Sequence, residues 1–437
     1  MKIKQLLKPK ILILGFGREG QDNLKFLLKI GKKDNIGIAD KNSLEVFPKR
    51  VQNLIRKHKI NFYSGDDYLK AIKDYEVIIK SPGVPFKILP KKLLKGKILT
   101  SQTDIFFSNH KGTIIGITGT KGKSTTTTLI YKILKENLKT GKAKYKRVFL
   151  IGNIGKTVLS YLRDSKNGDI YVYELSCHQL HNLRQSPHIA VWTNIYREHL
   201  DYYKSFKDYY MSKANITLWQ TEKDHIVYGA DYKIVENIVK KSKAIKHPVK
   251  GKYYELDFGL AREVGKIMGV EDGIINKVFS KFKNLECRLE FVGEFKGIKF
   301  YNDSLATIPE ATIFAIKKFG KGNIGSIFLG GYERFYNFKD LAKVILGYKI
   351  DNLILFPVTG ERILNDIKNE AKKRKIVMPK YFNVNNMKDA VKIAFDVTPK
   401  GKISLLSCAS PSYNLFKDYK DRGDQFKRYV ILFGKEN

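Results

Sequence analysis

Short, wholly apolar stretches recur along this chain, and each ends in a glycine-rich or polar turn that leads into a helix-like pattern. Thr113–Thr118 is the clearest example, because it runs into two glycines and then into a helix-like stretch that reaches Leu138. Strands without polar alternation are typical of parallel sheets covered by helices on both faces. The sequence therefore predicts an α/β fold with ligand-binding residues at the carboxyl ends of its strands.

Three series of such strands and helices follow one another in the 437 residues. We expect three α/β domains in series, over residues 1–108, 109–284 and 285–437, because a chain of this length divides into several domains of ordinary size. The strand-like stretches are residues 10–14, 35–39, 77–80, 113–118, 147–151, 170–174, 189–193, 298–301, 324–329, 352–356 and 402–407.

The charge of the chain is strongly positive, with 81 Lys and Arg against 43 Asp and Glu and a formal net charge of +38. This excess favours anionic partners such as nucleotides or nucleic acid, but it does not choose among them. The three cysteines are too few and too far apart for a disulfide framework, so a reducing cytoplasm is expected. No stretch approaches 18 apolar residues, so we expect no membrane span.

A glycine-rich turn between a strand-like and a helix-like stretch carries the strongest chemical signal. It consists of Gly119, Thr120, Lys121, Gly122, Lys123, Ser124 and Thr125. Backbone N–H groups of such a turn bind phosphate oxygens, and its final lysine and hydroxyl are expected to reach the β- and γ-phosphates and Mg²⁺. Ile117 stands where the first Walker glycine would fall. The alternative is therefore a helix N-terminus with a surface lysine.

A second glycine-rich turn, Gly-Phe-Gly-Arg-Glu-Gly at residues 15–20, follows the first apolar strand, and Asp40 ends the next strand. This spacing is typical of dinucleotide sites. It suits any nucleotide with a pyrophosphate equally well, and a tight turn without a ligand is the alternative. Nothing in the sequence marks a hydride acceptor, so a dehydrogenase is disfavoured.

Three residues beyond the phosphate loop suggest metal chemistry. Glu174 ends an apolar strand and could bind Mg²⁺, and His199 follows further along the chain. Lys213 shares a predicted helical face with Tyr209 and Ile216. Desolvation lowers the pKa of a lysine, and a neutral amine can react with CO₂ to give an anionic carbamate. The residues alone leave open an exposed acid, a structural histidine and a surface lysine.

Several motifs, in order along nearly the whole chain, resemble those of the Mur ligases of peptidoglycan synthesis, and most of all the members that add D-glutamate. The family's Glu-Leu-Ser-Ser-Phe-Gln-Leu motif corresponds to Glu-Leu-Ser-Cys-His-Gln-Leu at residues 174–180. The other matching stretches are residues 15–20 with Asp40, 81–83, the phosphate loop, 152–155, 193–195, 199–201, Arg288, 302–304, 306–307, 329–331, and Ser412, Phe416, Lys417, Arg422 and Gly423.

The resemblance implies three domains: an N-terminal Rossmann-like domain that binds a UDP-sugar, a central P-loop ATPase domain with a mostly parallel sheet, and a C-terminal Rossmann-like domain. It implies a monomeric cytoplasmic amide ligase that uses ATP, binds no specific nucleic acid, and works through an acyl phosphate. Its substrates would be UDP-N-acetylmuramoyl-L-alanine and D-glutamate, with two Mg²⁺ ions and a carbamylated Lys213.

The site residues implied by the resemblance fall into five groups. The UDP-substrate group is Gly15, Phe16, Gly17, Arg18, Asp40, Ser81, Gly83 and Asn153. The ATP group is the loop from Gly119 to Thr125 together with Arg288 and Asp303. The amino-acid group is Thr307, Arg334, Ser412 and Tyr419. The metal group is Ser124, Glu174, His199 and Lys213. The catalytic group is Lys123, His199 and Lys213.

The chain departs from the family mainly in the third domain. Leu305 replaces a lysine of the family's Asn-Asp-Ser-Lys-Ala-Thr motif, and Arg334 follows the Leu-Gly-Gly motif where a lysine is usual. A Mur-type ligase for another amino acid is therefore one alternative, and a basic nucleic-acid-binding NTPase is another. Folylpolyglutamate synthase shares the central domain plan, but the motifs at residues 15–20 and 81–83 speak against it.

Overall fold

The computed structural model describes residues 1–32, 34–199, 202–282 and 285–436. The chain forms two compact units, the first of which is Met1–Phe282 and the second of which follows it. The first unit contains two parallel sheets and the second unit contains one mixed sheet. Among the described residues, no helix combines the length and the apolar character that crossing a bilayer requires.

The first sheet is built from short strands, of which the three central ones are buried on both faces. Its strands are β1 Ile11–Leu14, β2 Ile36–Ala39, β3 Asn61–Tyr63, β4 Val77–Lys80 and β5 Ile98–Thr100, and its helices are α1 Arg18–Lys29, α2 Lys49–Lys57, α3 Lys91–Leu94 and α4 Gln102–Asn109. The strand order is β3-β2-β1-β4-β5, and all pairs are parallel. The turns after β1, β2 and β4 therefore meet at one edge of the sheet.

The second sheet has six parallel strands in the order β11-β10-β9-β6-β8-β7. These strands are β6 Thr113–Thr118, β7 Arg147–Gly152, β8 Asp169–Glu174, β9 Ile189–Trp192, β10 His225–Gly229 and β11 Ile245–Val249. The helices are α5 Lys123–Leu138, α6 Cys177–Leu180, α7 Phe206–Ala214, α8 Lys233–Val239, α9 Tyr253–Ile267 and α10 Asp272–Ser280. Because β8 and β9 flank β6, the residues that follow these three strands are neighbours.

The second unit is built on a six-stranded sheet in the order β12-β13-β17-β14-β15-β16, in which only the β12–β13 pair is antiparallel among the described pairs. Its strands are β12 Glu290–Phe295, β13 Ile298–Asn302, β14 Ile324–Gly330, β15 Asn352–Phe356, β16 Lys380–Asn383 and β17 Ile403–Leu406. Its helices are α11 Pro309–Phe319, α12 Lys339–Gly347, α13 Thr359–Arg374, α14 Met387–Val397 and α15 Tyr419–Lys435.

The predicted fold class is confirmed, since three mostly parallel sheets with interleaved helices follow one another along the chain. The predicted domain boundaries stay predictions. The boundary at 108/109 falls inside the first compact unit, and residues 283 and 284 at the other boundary lie outside the described residues.

Candidate functional site

The phosphate loop leaves the carboxyl end of β6 and enters α5 through two glycines that have positive φ. Gly119 has a φ of +145°, and an added Cβ would meet the Oγ1 atom of Thr193 at 1.9 Å. Gly122 has a φ of +82°, and an added Cβ would meet Oδ1 of Asp257 at 2.0 Å. Both positions therefore require glycine, because any larger residue would be strained and would collide with a polar side chain.

The loop is held by the residues that follow β9. Asn194 accepts a hydrogen bond at Oδ1 from the Lys121 N–H (2.8 Å) and donates from Nδ2 to the Lys121 carbonyl (2.9 Å). Thr193 donates its hydroxyl to the same carbonyl at 2.6 Å. The Thr-Asn-Ile motif thus holds the backbone of the loop in place. The contact is possible because β9, which precedes this motif, is the neighbour of β6, which precedes the loop.

Lys123 folds back over the loop that it terminates. Its Nζ donates to the carbonyls of Gly119 at 3.0 Å and Thr120 at 2.9 Å. Burial is the main reason that the pKa of Lys123 is lowered, although Glu174 and Glu198 act in the opposite direction. An ammonium group held on the loop carbonyls, in the first turn of α5, is a group that can bind an anion such as phosphate.

Glu174 and Lys213 are buried beside this loop. Glu174 is 1% exposed and ends β8; its Oε1 accepts a hydrogen bond from Asn153 Nδ2 at 3.0 Å. Its Oε2 is buried without a hydrogen-bond partner in the part of the chain that the structure describes. Lys213 is also 1% exposed, lies on α7, and donates from Nζ to the Gly119 carbonyl at 2.9 Å. Burial is the main cause that lowers the pKa of Lys213 to about 8.

His199 lies at the mouth of the same cluster, with a φ of +57° and a side chain that is 34% exposed. Its Nε2 is 3.9 Å from Glu198 Oε2, and Glu198 also pairs through Oε1 with Lys121 Nζ at 3.1 Å. Burial alone would raise the pKa of Glu198, but Lys121, His199 and Lys123 outweigh it and lower the pKa to about 2. The remaining residues of this motif, Leu200 and Asp201, lie outside the described residues.

Sequence reasoning missed two acids at this site. Asp257 on α9 accepts a hydrogen bond from Thr126 Oγ1 at 3.1 Å and lies behind Gly122, and Glu198 pairs with Lys121. Neither acid belongs to a spacing pattern around the loop, so the sequence offered no local signal for them. The predicted face of α7 is also shorter than expected, because α7 ends at Ala214 and Ile216 lies beyond it.

A cavity of about 520 Å³ lies at the carboxyl edge of the first sheet. Seven of the eight predicted UDP-substrate residues line it, namely Gly15, Gly17, Arg18, Asp40, Ser81, Gly83 and Asn153. Phe16 differs: its side chain is fully buried and packs edge-on against Phe47, while its N–H donates to Asp40 Oδ2 at 2.6 Å. The Phe16 side chain thus belongs to the core, and its backbone positions Asp40 at the cavity.

The cavity also contains Glu19, which the sequence did not single out. Its Oε1 accepts a hydrogen bond from Gln179 Nε2 at 2.7 Å. Burial raises the pKa of Glu19 to about 7, although Gln179 and Arg18 act in the opposite direction. Arg18 donates from Nη2 to the carbonyls of Gly152 (3.1 Å) and Gly155 (2.9 Å), so both residues tie the first sheet to the second.

In the second unit, Asp303 is held at the end of β13. It accepts hydrogen bonds from the Leu289 N–H at 3.2 Å and from the Ser407 hydroxyl at 2.9 Å. Burial raises the pKa of Asp303 to about 7, and the nearby positive charge of Arg288 acts in the opposite direction. The structure therefore brings together the two predicted ATP residues of this unit.

The predicted amino-acid residues occupy neighbouring loops of the second unit. The Tyr332 N–H donates to the Pro411 carbonyl at 2.7 Å, so the loop that carries Arg334 lies beside the loop that carries Ser412. Ser412 is buried, Arg334 and Thr307 are half-buried, and Tyr419 is exposed at the start of α15. The Tyr419 carbonyl accepts a hydrogen bond from Ser304 Oγ at 2.7 Å.

Comparison with known proteins points to one family. The family model described as the Mur ligase middle domain matches residues 117–306. The UDP-N-acetylmuramoylalanine--D-glutamate ligase of Acetivibrio thermocellus is 30% identical over an alignment that covers 98% of this chain and 97% of that protein.

Solved structures agree on the fold. UDP-N-acetylmuramate-alanine ligase MurC from Thermotoga maritima aligns with a TM-score of 0.57 and 16% identity, covering 97% of this chain and 99% of that one. MurF ligase from Thermotoga maritima, in complex with ADP, aligns with a TM-score of 0.54 and 16% identity, covering 97% of this chain and 95% of that one. The relative that is 30% identical over nearly the whole chain shows that this chain belongs to the Mur ligase family.

Proposed function

We propose that this protein is an ATP-dependent amide ligase that joins D-glutamate to UDP-N-acetylmuramoyl-L-alanine in the synthesis of peptidoglycan precursors. One observation carries the proposal most directly. Asn153 lines the cavity of the first sheet and also donates its amide to Glu174 beside the phosphate loop, at 3.0 Å. A single residue thus connects a place for a sugar nucleotide with a place for ATP.

The reaction would have two steps. The alanyl carboxylate of the UDP-sugar attacks the γ-phosphorus of ATP, which gives an acyl phosphate and releases ADP. The amine of D-glutamate then attacks the acyl carbon, loses a proton, and expels inorganic phosphate. The catalytic task of the protein is mainly to position the groups and to balance the charge that develops on the transferred phosphoryl group.

Residues of the phosphate loop are suited to this task. Lys123 lies on the loop carbonyls within reach of a bound triphosphate, and the N–H groups at the start of α5 add positive potential. Lys121 is held against Glu198 and orders the outer side of the loop. We propose that Arg288 and Asp303 of the second unit also contact the nucleotide.

The donor set also fits a hard divalent cation. Glu174 Oε2 is a buried carboxylate oxygen that lacks a partner among the described residues, which is costly unless a ligand satisfies it. We propose that Glu174 and Ser124 would hold one Mg²⁺ and that His199 and a carbamylated Lys213 would hold a second. When bound, Mg²⁺ offsets the negative charge of the phosphates.

The amino acid would bind in the second unit, at the adjacent loops that carry Arg334 and Ser412, with Thr307 and Tyr419. Arg334 would supply a positive charge in place of the family lysine that Leu305 replaces. Arginine presents a planar fork that binds a carboxylate through two hydrogen bonds, so one of the two carboxylates of D-glutamate suits it.

The test is release of phosphate from ATP by the full-length protein with UDP-N-acetylmuramoyl-L-alanine and a panel of D-glutamate, L-glutamate, L-alanine and meso-diaminopimelate. Turnover with D-glutamate is expected. Trapping with hydroxylamine, in the absence of an amino acid, should yield a hydroxamate of the UDP-sugar. Turnover with another member of the panel would move the assignment to another amino acid, and an absence of the hydroxamate would contradict the acyl phosphate.

We further propose that the protein acts as a monomer in the cytoplasm and does not require nucleic acid. The three cysteines are free and buried, which agrees with a reducing compartment. Sedimentation at micromolar concentration tests the monomer, and phosphate release that does not respond to added DNA or RNA tests the independence from nucleic acid.

A further inference from the structure

The start of α6 carries two residues that the Mur ligase motif does not have. Residues 174–180 read Glu-Leu-Ser-Cys-His-Gln-Leu, where the family pattern has serine and phenylalanine in place of Cys177 and His178. Thiolate and imidazole are strong ligands for zinc-class metals, whereas a hydroxyl and a phenyl ring are not. Both differences from the family motif therefore add a side chain that can bind a zinc-class metal.

The fold adds a third ligand of the same kind. One ligand atom each of Cys177, His178 and His199 lies within 4.8 Å of the other two. The rings of His178 and His199 have centroids 5.0 Å apart. Zinc bonds of about 2.0–2.3 Å in tetrahedral geometry place ligand atoms about 3.3–3.8 Å apart, so side-chain adjustment of about 1 Å completes the set.

The surroundings suit an ion that enters from one side. Cys177 is 2% exposed, and the two histidines are half-buried, so the thiol closes the inner end and the rings border the outer end. The Tyr203 hydroxyl lies 3.2 Å from His178 Nδ1, so His178 would bind a metal through Nε2. A hydrogen-bond partner on the other ring nitrogen is what orients imidazole ligands in metal sites.

We propose that Cys177, His178 and His199 form a binding site for a thiophilic divalent metal of the zinc class, distinct in chemistry from the oxygen-rich Mg²⁺ site. Binding releases the Cys177 thiol proton to solvent, and the thiolate and two neutral imidazoles bind the ion. Three protein ligands leave the fourth tetrahedral position to water or to another ligand.

The site has a consequence for the ligase reaction, and this consequence rests on the proposed function. His199 belongs to the proposed Mg²⁺ set, so an ion held by Cys177 and His178 withdraws His199 from it. Zinc at low concentration should therefore inhibit the enzyme through a site that magnesium, which prefers oxygen ligands, competes for poorly.

Titration of the EDTA-treated full-length protein with Co²⁺ alone tests the site without any substrate. The expected result is one equivalent bound, with a thiolate-to-cobalt charge-transfer band that Zn²⁺ abolishes. Partners in the outer shell of a metal site are worth about 10- to 100-fold in affinity, so Cys177→Ser should weaken zinc binding by at least about 100-fold. His178→Phe should weaken it similarly, and melting curves check that both variants fold.

Cys287→Ser and Cys408→Ser are matched controls, because both thiols are buried in the second unit. They should keep the cobalt band and the zinc affinity. A missing band in the parent protein, or an unchanged band in Cys177→Ser, would overturn the site. A normal band together with zinc-insensitive turnover would leave the site in place and refute only its link to the reaction, whereas an absence of turnover under all conditions would instead count against the proposed function.

Discussion

Carbamylation of Lys213 can be tested by removing and restoring CO₂. The amine is buried on α7 and lies 2.9 Å from the Gly119 carbonyl, and a carbamate on it would present an anion to the proposed Mg²⁺ site. Protein that is depleted of CO₂ under inert gas should lose most of its ligase activity. Added bicarbonate should restore the activity, because bicarbonate supplies CO₂ and the neutral amine of Lys213 reacts with CO₂ to form the carbamate.

The size of the effect follows from the pKa of Lys213. Burial lowers this pKa from 10.5 to about 8. At pH 7.5 about a quarter of the amine is neutral with the lower value, against about 0.1% with the ordinary value, which is a gain of about 240-fold. At a fixed concentration of dissolved CO₂, the rate of reactivation should rise with pH and level off above about pH 8.

The assay follows phosphate release after bicarbonate is added, and carbon-13 NMR with labelled bicarbonate detects the carbamate itself. Lys213→Arg keeps the positive charge but should be inactive and should lack the carbamate signal. Lys207→Arg, an exposed position on the same helix, is the control and should behave like the parent. A reactivation rate that keeps rising tenfold per pH unit beyond pH 9, or full activity of Lys213→Arg, would refute the reasoning.

Three further predictions concern the phosphate loop and the cavity. Lys123→Ala should lower phosphate release by at least about 100-fold at saturating ATP, and full activity would contradict its role. Gly122→Ala should lower the free energy of unfolding in urea by about 1–3 kcal/mol more than Gly141→Ala does. Gly141 is the control because it has a similar φ of +73° but nothing within 4 Å of an added Cβ, and equal losses would argue against the contact with Asp257. Burial raises the pKa of Glu19 to about 7, so acidification from pH 8 to pH 6 protonates most of this carboxylate and reduces its repulsion of the UDP-sugar phosphates. The affinity for a UDP-sugar should then increase by up to about tenfold in calorimetry, while Glu19→Gln should show no such change.

The sequence predicted the centre of each sheet better than its edges. The predicted strands at 77–80, 113–118 and 352–356 agree with β4, β6 and β15 residue for residue, because strands buried on both faces are continuous apolar runs. The edge strands β3, β5, β11, β12 and β16 were not predicted, since their mixed and partly exposed residues lack such a run. The inner strand β10 was also missed, although four of its five residues are buried. Glu174 ends a predicted strand and Lys123 follows another, so their position at the carboxyl edge of the second sheet was expected, whereas the strand order was not predicted and the role of Lys213 was implied only by the resemblance.

Contacts between distant parts of the chain could not be predicted. Asp257 lies behind Gly122 although it is more than 130 residues further along the chain, and Gln179 reaches Glu19 over a separation of 160 residues. Such pairs depend on how helices pack against the sheets and leave no periodic trace in the sequence. The same holds for the meeting of Cys177 and His178 with His199, since a stretch of α6 and a loop after β9 come together only in the folded chain.

Arg18 donates hydrogen bonds to the carbonyls of Gly152, at the end of β7, and Gly155, in the loop after it. Gln179 donates another to Glu19, so both contacts join the first sheet of this unit to the second. Arg18, Glu19 and Gly152 line the cavity where the sugar nucleotide would bind, so these hydrogen bonds should hold the 1–282 unit as one rigid body whether or not the nucleotide is present. The uridine end of the substrate would then bind in a preformed site, and the conformational entropy that the protein loses on binding should be small. Any large hinge movement during turnover has to be sought outside this unit.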